Sequence, residues 1–129
     1  MLCFISVRVT MLEIRRQKIK DVEVIHLQGV LNADTSPTLE NLLQELSQAS
    51  LPMILLCVEN IDYISSAGMG CFIGAIGNIR KKQGDLRFCG MQPQVRRIFT
   101  LLDMDDFFFH FDSMEKGLAS FALKNEDGP

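Results

Sequence analysis

Apolar and polar residues alternate with a period of two in the first part of the chain. The alternation runs through Leu12–Lys18 and, more regularly, through Val22–Leu27. A strand with one buried face shows this period, because successive side chains point to opposite faces of a sheet. Lys20-Asp21 between the two segments favours a turn. The pattern therefore predicts an antiparallel β-hairpin.

After the hairpin, segments with helical spacing alternate with short apolar runs. Gly29–Asp34 is predicted as a loop, followed by a helix with Ser36 as N-cap and Pro37 at the first helical position. Met53–Val58 is apolar at every position, which is typical of a strand covered on both faces. The remaining predicted elements are, in order, a helix after Ser65-Ser66, a strand at Leu86–Cys89, a helix from Pro93, a strand within Phe107–Phe111 and a helix capped by Ser113.

The resulting order is β-β-α-β-α-β-α-β-α, which indicates the α/β class. Strands that alternate with helices lie parallel and are joined by right-handed crossovers. We therefore predict a mixed, mainly parallel sheet with an N-terminal antiparallel hairpin and about four helices. A chain of 129 residues fits a single domain. We place this domain at residues 12–124, between an N-terminal extension at 1–11 and a polar tail at 125–129.

Composition narrows the range of partners and locations. The net charge of −3 provides no basic field for nucleic acid, and no apolar run is long enough to cross a bilayer. Residues 1–10 lack the charged start and the cleavage site of a signal peptide. The four cysteines show no CxxC spacing, and three of them lie in apolar segments. We expect reduced core thiols in a cytoplasmic protein, with no nucleic-acid partner and no membrane insertion.

The segment Asp62–Gly70 carries the most distinctive chemistry of the chain. It connects the apolar strand at Met53–Val58 to the next helix and places Ser65 and Ser66 in the first turn of that helix. Backbone N–H groups at a helix N-terminus are unpaired and carry a partial positive charge. These N–H groups could donate hydrogen bonds to a phosphate on either hydroxyl. A simple N-cap role is the other interpretation, and it does not exclude phosphorylation.

Three other kinds of chemistry fit this sequence poorly. The dinucleotide fingerprint requires a third glycine where Ile73 stands, three residues after Gly70. The Gly-x-Ser-x-Gly elbow of hydrolases is absent, and both histidines, His26 and His110, lie in strand patterns typical of structural residues. The acidic cluster after the third predicted helix has no accompanying His or Cys pattern for a metal. We expect no enzymatic activity, no cofactor and no metal site.

The helix after the two serines is unusual because it contains three glycines. A helical wheel puts one set of residues on an apolar core side: Met69, Phe72, Ile73, Ile76 and Ile79. The opposite side comprises Ala67, Gly70, Cys71, Gly74, Gly77 and Asn78. Glycine in a helix costs about 1 kcal/mol relative to alanine, so this side indicates a need for close access to the backbone. Two explanations stay open: docking of a partner, or packing against a helix or terminal segment of the same chain.

Three segments in this order resemble the STAS domain, the family of bacterial anti-sigma-factor antagonists and of domains attached to sulfate transporters. The segments are Leu27–Asn32, Ile61–Gly70 and Gly90–Arg96, and the resemblance covers about Leu12–Leu123. The middle segment is similar to the family's Asp-Ser-Ser-Gly or Ser-Ser-Ala-Gly signature. The resemblance implies a STAS-like fold. It also implies a protein that binds a serine-kinase anti-sigma factor, releases sigma, and is inactivated by phosphorylation.

By this resemblance, the phosphorylated serine falls on Ser66, with Ser65 as the alternative. Ser65 stands where many members have Asp, and the family's Asp before the first helix falls on Asn32; both departures remove carboxylates near the site. Together with the glycine-containing side of the helix, these positions give the predicted partner surface, which comprises Asn32, Asp34, Tyr63, Ser65, Ala67, Gly68, Gly70, Gly74 and Gly77. The sequence leaves other hypotheses open: a homodimer, a non-phosphorylated STAS scaffold, a soluble subunit of a signalling or lipid-transport assembly, and a small-ligand-binding protein.

Overall fold

A computed structural model of the protein describes residues 5–9 and 11–126. The strands are β1 (Ile5–Val9), β2 (Leu12–Ile19), β3 (Val22–Leu31), β4 (Met53–Ile64), β5 (Asp85–Cys89) and β6 (His110–Phe111). The helices are α1 (Ser36–Leu46), α2 (Ser66–Lys81), α3 (Pro93–Leu101) and α4 (Met114–Glu126). The strands lie side by side in chain order. Pairing is antiparallel from β1 to β3 and parallel from β3 to β6, which confirms the predicted class and the mixed sheet.

The predicted hairpin is present as β2 and β3, with a positive φ of 54° at Lys20 in the turn. The extension contains a strand that was not predicted from the sequence. Strand β1 pairs with β2 from Ile5 opposite Arg16 to Val9 opposite Leu12. At the other end, α4 continues to Glu126, so the first two residues of the predicted tail are helical. Residues 1–4 of the extension and 127–129 of the tail lie outside the described residues.

The sheet has a separate hydrophobic cluster on each face. On one face α1, α2 and α3 cover alternate residues of the central strands, and four phenylalanines pack ring against ring. The Phe88 ring lies 4.9 Å from Phe72, 5.3 Å from Phe99 and 5.4 Å from Phe108. On the other face α4 covers a smaller cluster that includes Phe121. This two-sided burial explains why the central strand is apolar at every position of its first half.

Strand β4 is longer than predicted, because it continues through a polar segment to Ile64. Its second half pairs with the end of β3, where Val30 lies opposite Tyr63 and Leu31 opposite Ile64. The prediction of a loop at Gly29–Asp34 is therefore wrong for its first three residues. At Gly29 φ is +120°, and a Cβ would lie 2.0 Å from the Met11 carbonyl oxygen, so only glycine fits there.

None of the described helices is long and apolar enough to span a membrane.

Candidate functional site

Two loops meet where β3 and β4 end, at the carboxyl edge of the parallel part of the sheet. The backbone N–H of Ser65, just after β4, donates to the carbonyl of Leu31 at the end of β3, at 2.8 Å. This bond places the loop before α1 beside the start of α2. In open α/β sheets the carboxyl edge is where binding sites form, because the loops there converge from different strands.

Asn32 and Thr35 hold the first of these loops. The Asn32 side-chain oxygen accepts from the backbone N–H of Asp34 at 2.9 Å and of Thr35 at 3.0 Å. The Thr35 hydroxyl donates to the Val30 carbonyl and accepts from the Asn32 N–H, both at 2.9 Å. An aspartate at position 32 could accept the same two bonds. Asparagine therefore keeps the turn and removes a negative charge.

Thr35, not Ser36, is the residue that precedes the first turn of α1, so the predicted N-cap is wrong by one position. The Thr35 hydroxyl is committed to the loop and makes no cap hydrogen bond to the helix. Thr35 was not among the residues predicted for the site. The spacing of Asn32 and Thr35, a turn-forming asparagine followed three residues later by a hydroxyl, is the local signal that could have identified it.

The structure gives the two adjacent serines different environments. Ser65 is the N-cap of α2, with extended backbone (φ −84°, ψ 175°), and its hydroxyl accepts from the Gly68 N–H at 3.2 Å. Ser66 is the first residue of the helix and is exposed. Within the described part of the chain its hydroxyl has no hydrogen-bond partner. Ser65 thus caps α2, whereas Ser66 is exposed and makes no such bond among the described residues.

Gly68 lies inside the domain, in contrast to the other glycines of α2. A Cβ at this position would lie 2.9 Å from the Leu31 Cβ and 3.0 Å from a methyl carbon of Ile64. The absence of a side chain lets the start of α2 approach the ends of β3 and β4. Gly68 was included in the expected partner surface, but it is buried and supports that surface from below.

The exposed side of α2 forms a stripe that begins at Ser66, and we call it the α2 outer face. It comprises Ser66, Ala67, Gly70, Ile73, Gly74, Gly77 and Asn78. A Cβ built on Gly70, Gly74 or Gly77 has no neighbour within 4 Å. Intramolecular packing by the described residues therefore does not explain these glycines. Docking of a partner on this side of the helix stays a prediction.

Two residues of α2 lie on the side opposite to the prediction. Ile73, predicted as core, is 44% exposed, and Cys71, predicted on the outer side, is 5% exposed. Helix α1 packs beside α2 and covers Cys71, whose thiol donates to the Ser36 carbonyl at 3.3 Å. Burial raises the pKa of this thiol, so it remains protonated. Because α1 packs on this side of α2, the buried side of the helix differs from the one that the helical wheel predicts.

The rim of the site adds exposed residues of mixed character. Tyr63, at the end of β4, is 52% exposed, and Asp34 in the adjacent loop is exposed as well. Asn32 is half-buried, as its hydrogen bonds require. The first turn of α2 contains no acidic residue, so nothing on the helix itself opposes an anion at its N-terminus. The site therefore combines a free hydroxyl, a helix N-terminus and a flat face flanked by large side chains.

The two histidines lie away from the serines. His26 is on the face of the sheet opposite α2, and its ring pairs with the Gln17 side chain at 3.3 Å. The expectation of a satisfied structural histidine is wrong for His110, because both of its ring nitrogens are buried and lack a partner among the described residues. Its ring packs against Phe88 and Phe99. Burial lowers the pKa of His110, which keeps the ring neutral.

Comparison with known proteins gives a consistent set of similarities. The family model of the STAS domain matches residues 13–117. BtrV of Bordetella bronchiseptica is 29% identical over 110 residues, which span 85% of this chain and 95% of that protein. An anti-sigma-B factor antagonist of Staphylococcus aureus is 27% identical over 82 residues, 64% of this chain and 76% of the relative. The solved structure of the anti-sigma factor antagonist SpoIIAA, unphosphorylated, has a TM-score of 0.66 at 17% identity and 98% coverage of both chains. Bacillus SpoIIAA has also been solved in a phosphorylated form, with a TM-score of 0.64 at 16% identity, covering 92% of this chain and 99% of that one.

Proposed function

Because the chain belongs to the STAS domain family, we propose that it is an anti-sigma-factor antagonist that phosphorylation of Ser66 switches off. The partner is an anti-sigma factor that is also a serine-protein kinase. In its unmodified state the protein occupies this partner and thereby releases sigma in the cytoplasm. The names of the relatives support the antagonist role, and the existence of a phosphorylated SpoIIAA supports a phosphorylation switch.

We assign the phosphorylation to Ser66 because the hydroxyls of the two serines differ in their hydrogen bonds. A kinase must reach the hydroxyl it modifies, and the Ser65 hydroxyl is held against the Gly68 N–H. The Ser66 hydroxyl is exposed and lies at the beginning of the α2 outer face. A kinase docked on that face would have this hydroxyl at the edge of its contact area.

A phosphate on Ser66 would change binding without changing the fold. It adds a charge of about −1.5 to −2 and three acceptor oxygens at the N-terminus of a 16-residue helix, which favours the anion. The same dianion stands beside a face whose other members are small or apolar. A partner surface that fits a neutral serine would have to desolvate that charge, which disfavours the complex.

Phosphorylation itself is tested by incubation with ATP and a purified candidate ATPase of the histidine-kinase-like class from the same organism, read by mass spectrometry. Wild type should gain one phosphate, and Ser66→Ala should gain none. Ser65→Asn is the matched control, because asparagine keeps a side-chain acceptor at the N-cap and removes the hydroxyl. It should be modified as wild type is. Two results would assign the switch to Ser65 instead: phosphorylation of the Ser66→Ala variant, or loss of phosphorylation in the Ser65→Asn variant alone.

Binding is tested by titration of the unmodified variants against the same ATPase. Ser66→Ala should bind as wild type does, whereas Ser66→Asp should bind about 100-fold more weakly, which corresponds to about 3 kcal/mol. Thermal unfolding should be similar for both, because Ser66 is exposed. Equal affinity of Ser66→Asp and wild type would remove the switch and leave a non-phosphorylated scaffold as the better hypothesis.

The docking face is tested at Gly74, in the middle of the α2 outer face. Gly74→Arg should abolish partner binding, because a long charged side chain would project from a face with no neighbour within 4 Å. The melting temperature should not fall, because the space around Gly74 is open and arginine favours a helix more than glycine does. Gly74→Ala is the small-residue control and should lose far less affinity than Gly74→Arg. Full binding by Gly74→Arg would show that the partner docks elsewhere.

A further inference from the structure

Two cysteines face each other in the smaller hydrophobic cluster, outside the site described above. Cys57 of β4 and Cys89 of β5 are directly opposed in the parallel register. Their sulfur atoms lie 3.2 Å apart. Both side chains are buried, with 2% and 1% of their surfaces exposed, between the sheet and α4. The remaining described cysteine, Cys71, lies on the other face of the sheet and contacts a carbonyl instead.

The geometry of this pair suits a covalent bond between the sulfurs. Neighbouring strands are about 4.8 Å apart, which falls within the Cα separations that disulfides span. The sulfurs would have to approach by about 1.2 Å from their 3.2 Å separation to reach bonding distance. Rotation of the two side chains can supply part of this movement, and the small cluster around them can adjust. The backbone register therefore needs little change.

The two thiols differ in their surroundings and in their acidity. Cys57 lines a small polar cleft together with His26 and Glu59, whereas Cys89 does not line it. The hydrogen bond between the thiols lowers the pKa of Cys89, because it stabilises a thiolate there, and raises the pKa of Cys57. Thiolates, not thiols, react with oxidants, so one member of the pair is favoured as the nucleophile.

We propose that Cys57 and Cys89 form an oxidation site, which a small peroxide converts to an intramolecular disulfide. One thiolate attacks an oxygen of hydrogen peroxide and the O–O bond breaks. The departing hydroxide takes up the proton that the thiol released, so that a sulfenic acid and water form. The other sulfur then attacks the sulfenic sulfur, and a second water leaves as the S–S bond forms. The two thiols lose two electrons and two protons in total, and hydrogen peroxide is reduced to two waters.

The disulfide would close a ring that contains the second half of β4, both serines and the whole of α2. It would therefore tie the element that carries the α2 outer face to the centre of the sheet. Crosslinks of this kind stabilise mainly by restricting the unfolded chain. The oxidised protein should melt about 5–10 °C higher than the reduced protein, and a reducing agent should reverse the change.

The test uses the full chain with Cys3→Ser and Cys71→Ala, so that Cys57 and Cys89 are the two thiols left. The reduced protein is treated with hydrogen peroxide while folded, then alkylated and analysed by mass spectrometry. We expect a monomer lighter by two hydrogen atoms, with no alkylation, and the tryptic peptides 21–80 and 88–96 joined by a bond that reduction cleaves. Adding Cys57→Ala to this chain should abolish the link and leave Cys89 to be alkylated or to gain oxygen.

Three results would overturn the proposal. The first is a chain in which both thiols can still be alkylated after peroxide treatment. The second is a gain of oxygen atoms without a link between the two peptides. The third is a link found only between two chains, as a dimer. The measurement on the chain that holds both cysteines is decisive even where the alanine variant fails to fold, because it requires no comparison.

Discussion

Replacing the three exposed glycines of α2 by alanine should make the protein more stable and, on the proposed function, a weaker binder. Gly70, Gly74 and Gly77 lie inside a helix and have no atom within 4 Å of a built Cβ. A methyl group can therefore be added at each position without a clash. Alanine restricts the unfolded chain more than glycine does and leaves the folded helix unchanged.

The expected magnitude follows from this open space. Each substitution should raise the free energy of unfolding by about 0.5–1 kcal/mol, and the triple variant by about 1.5–3 kcal/mol. For a domain of this size, that corresponds to a melting temperature higher by about 5–12 °C. Urea unfolding followed by far-ultraviolet circular dichroism measures the gain as a higher midpoint with an unchanged slope.

Gly68 provides the matched control in the same helix. A Cβ there would lie 2.9 Å from the Leu31 Cβ, so Gly68→Ala should lower the free energy of unfolding by about 1–3 kcal/mol. Opposite signs at Gly68 and at the three exposed positions would confirm the assignment of the two sides of α2. Destabilisation by alanine at all four positions would refute it, because some part of the chain would then have to pack on the outer face.

Affinity for the partner kinase distinguishes a docking face from glycines without a binding role. If the partner needs close access to the α2 backbone, the triple alanine variant should bind more weakly although it is more stable. A loss of affinity combined with a gain in stability cannot result from partial unfolding. Unchanged affinity would mean that the partner tolerates methyl groups on this face, and Gly74→Arg would then be the sharper test of where it docks.

Three further predictions concern the stability of the framework. Asp85→Ala should lower the free energy of unfolding in urea by about 3–5 kcal/mol, because it leaves the buried Arg87 without the carboxylate that its guanidinium contacts at 2.8 Å; a loss below about 1 kcal/mol would contradict this. Thr35→Val should lower the free energy of unfolding by about 1–3 kcal/mol, since valine has the shape of threonine but lacks both loop hydrogen bonds. An unchanged midpoint of urea unfolding would show that water replaces these bonds. Burial and the nearby Arg96 lower the pKa of His110 in the folded state, while Asp105 opposes them. The unfolded chain therefore binds a proton at this histidine more readily than the folded chain does. The free energy of unfolding should fall as the pH falls below about 6.5. His110→Phe should therefore flatten the decline of the melting temperature between about pH 7 and pH 5, and an equally steep decline in this variant would assign it to other groups.

Local patterns were sufficient for most of the framework. The alternation around Lys20, the uniformly apolar Met53–Val58 and the helical spacing after each strand predicted the hairpin, the central strand and all four helices. These features report burial residue by residue, and burial follows the period of the local backbone. The segment Asp62–Gly70 also indicated the candidate site, because a hydroxyl at a strand-to-helix junction has the same chemistry in any α/β fold.

Non-local pairing decided what the patterns could not. Strand β1 and the second half of β4 are strands because β2 and β3 supply their hydrogen-bond partners, which no local period reveals. Cys71 is buried and Ile73 is exposed because α1 packs beside α2 on the Cys71 side.

The chemistry of individual side chains also depends on non-local contacts. Ser65 and Ser66 are identical in sequence terms, and only the geometry of the helix start assigns one as the cap and leaves the other free. Cys57 and Cys89 are far apart in the chain, and only the register of two parallel strands brings their sulfurs together. The residue types at the candidate site can be read from the sequence alone. Which of them are exposed follows only from the fold, because accessibility depends on what packs around each side chain.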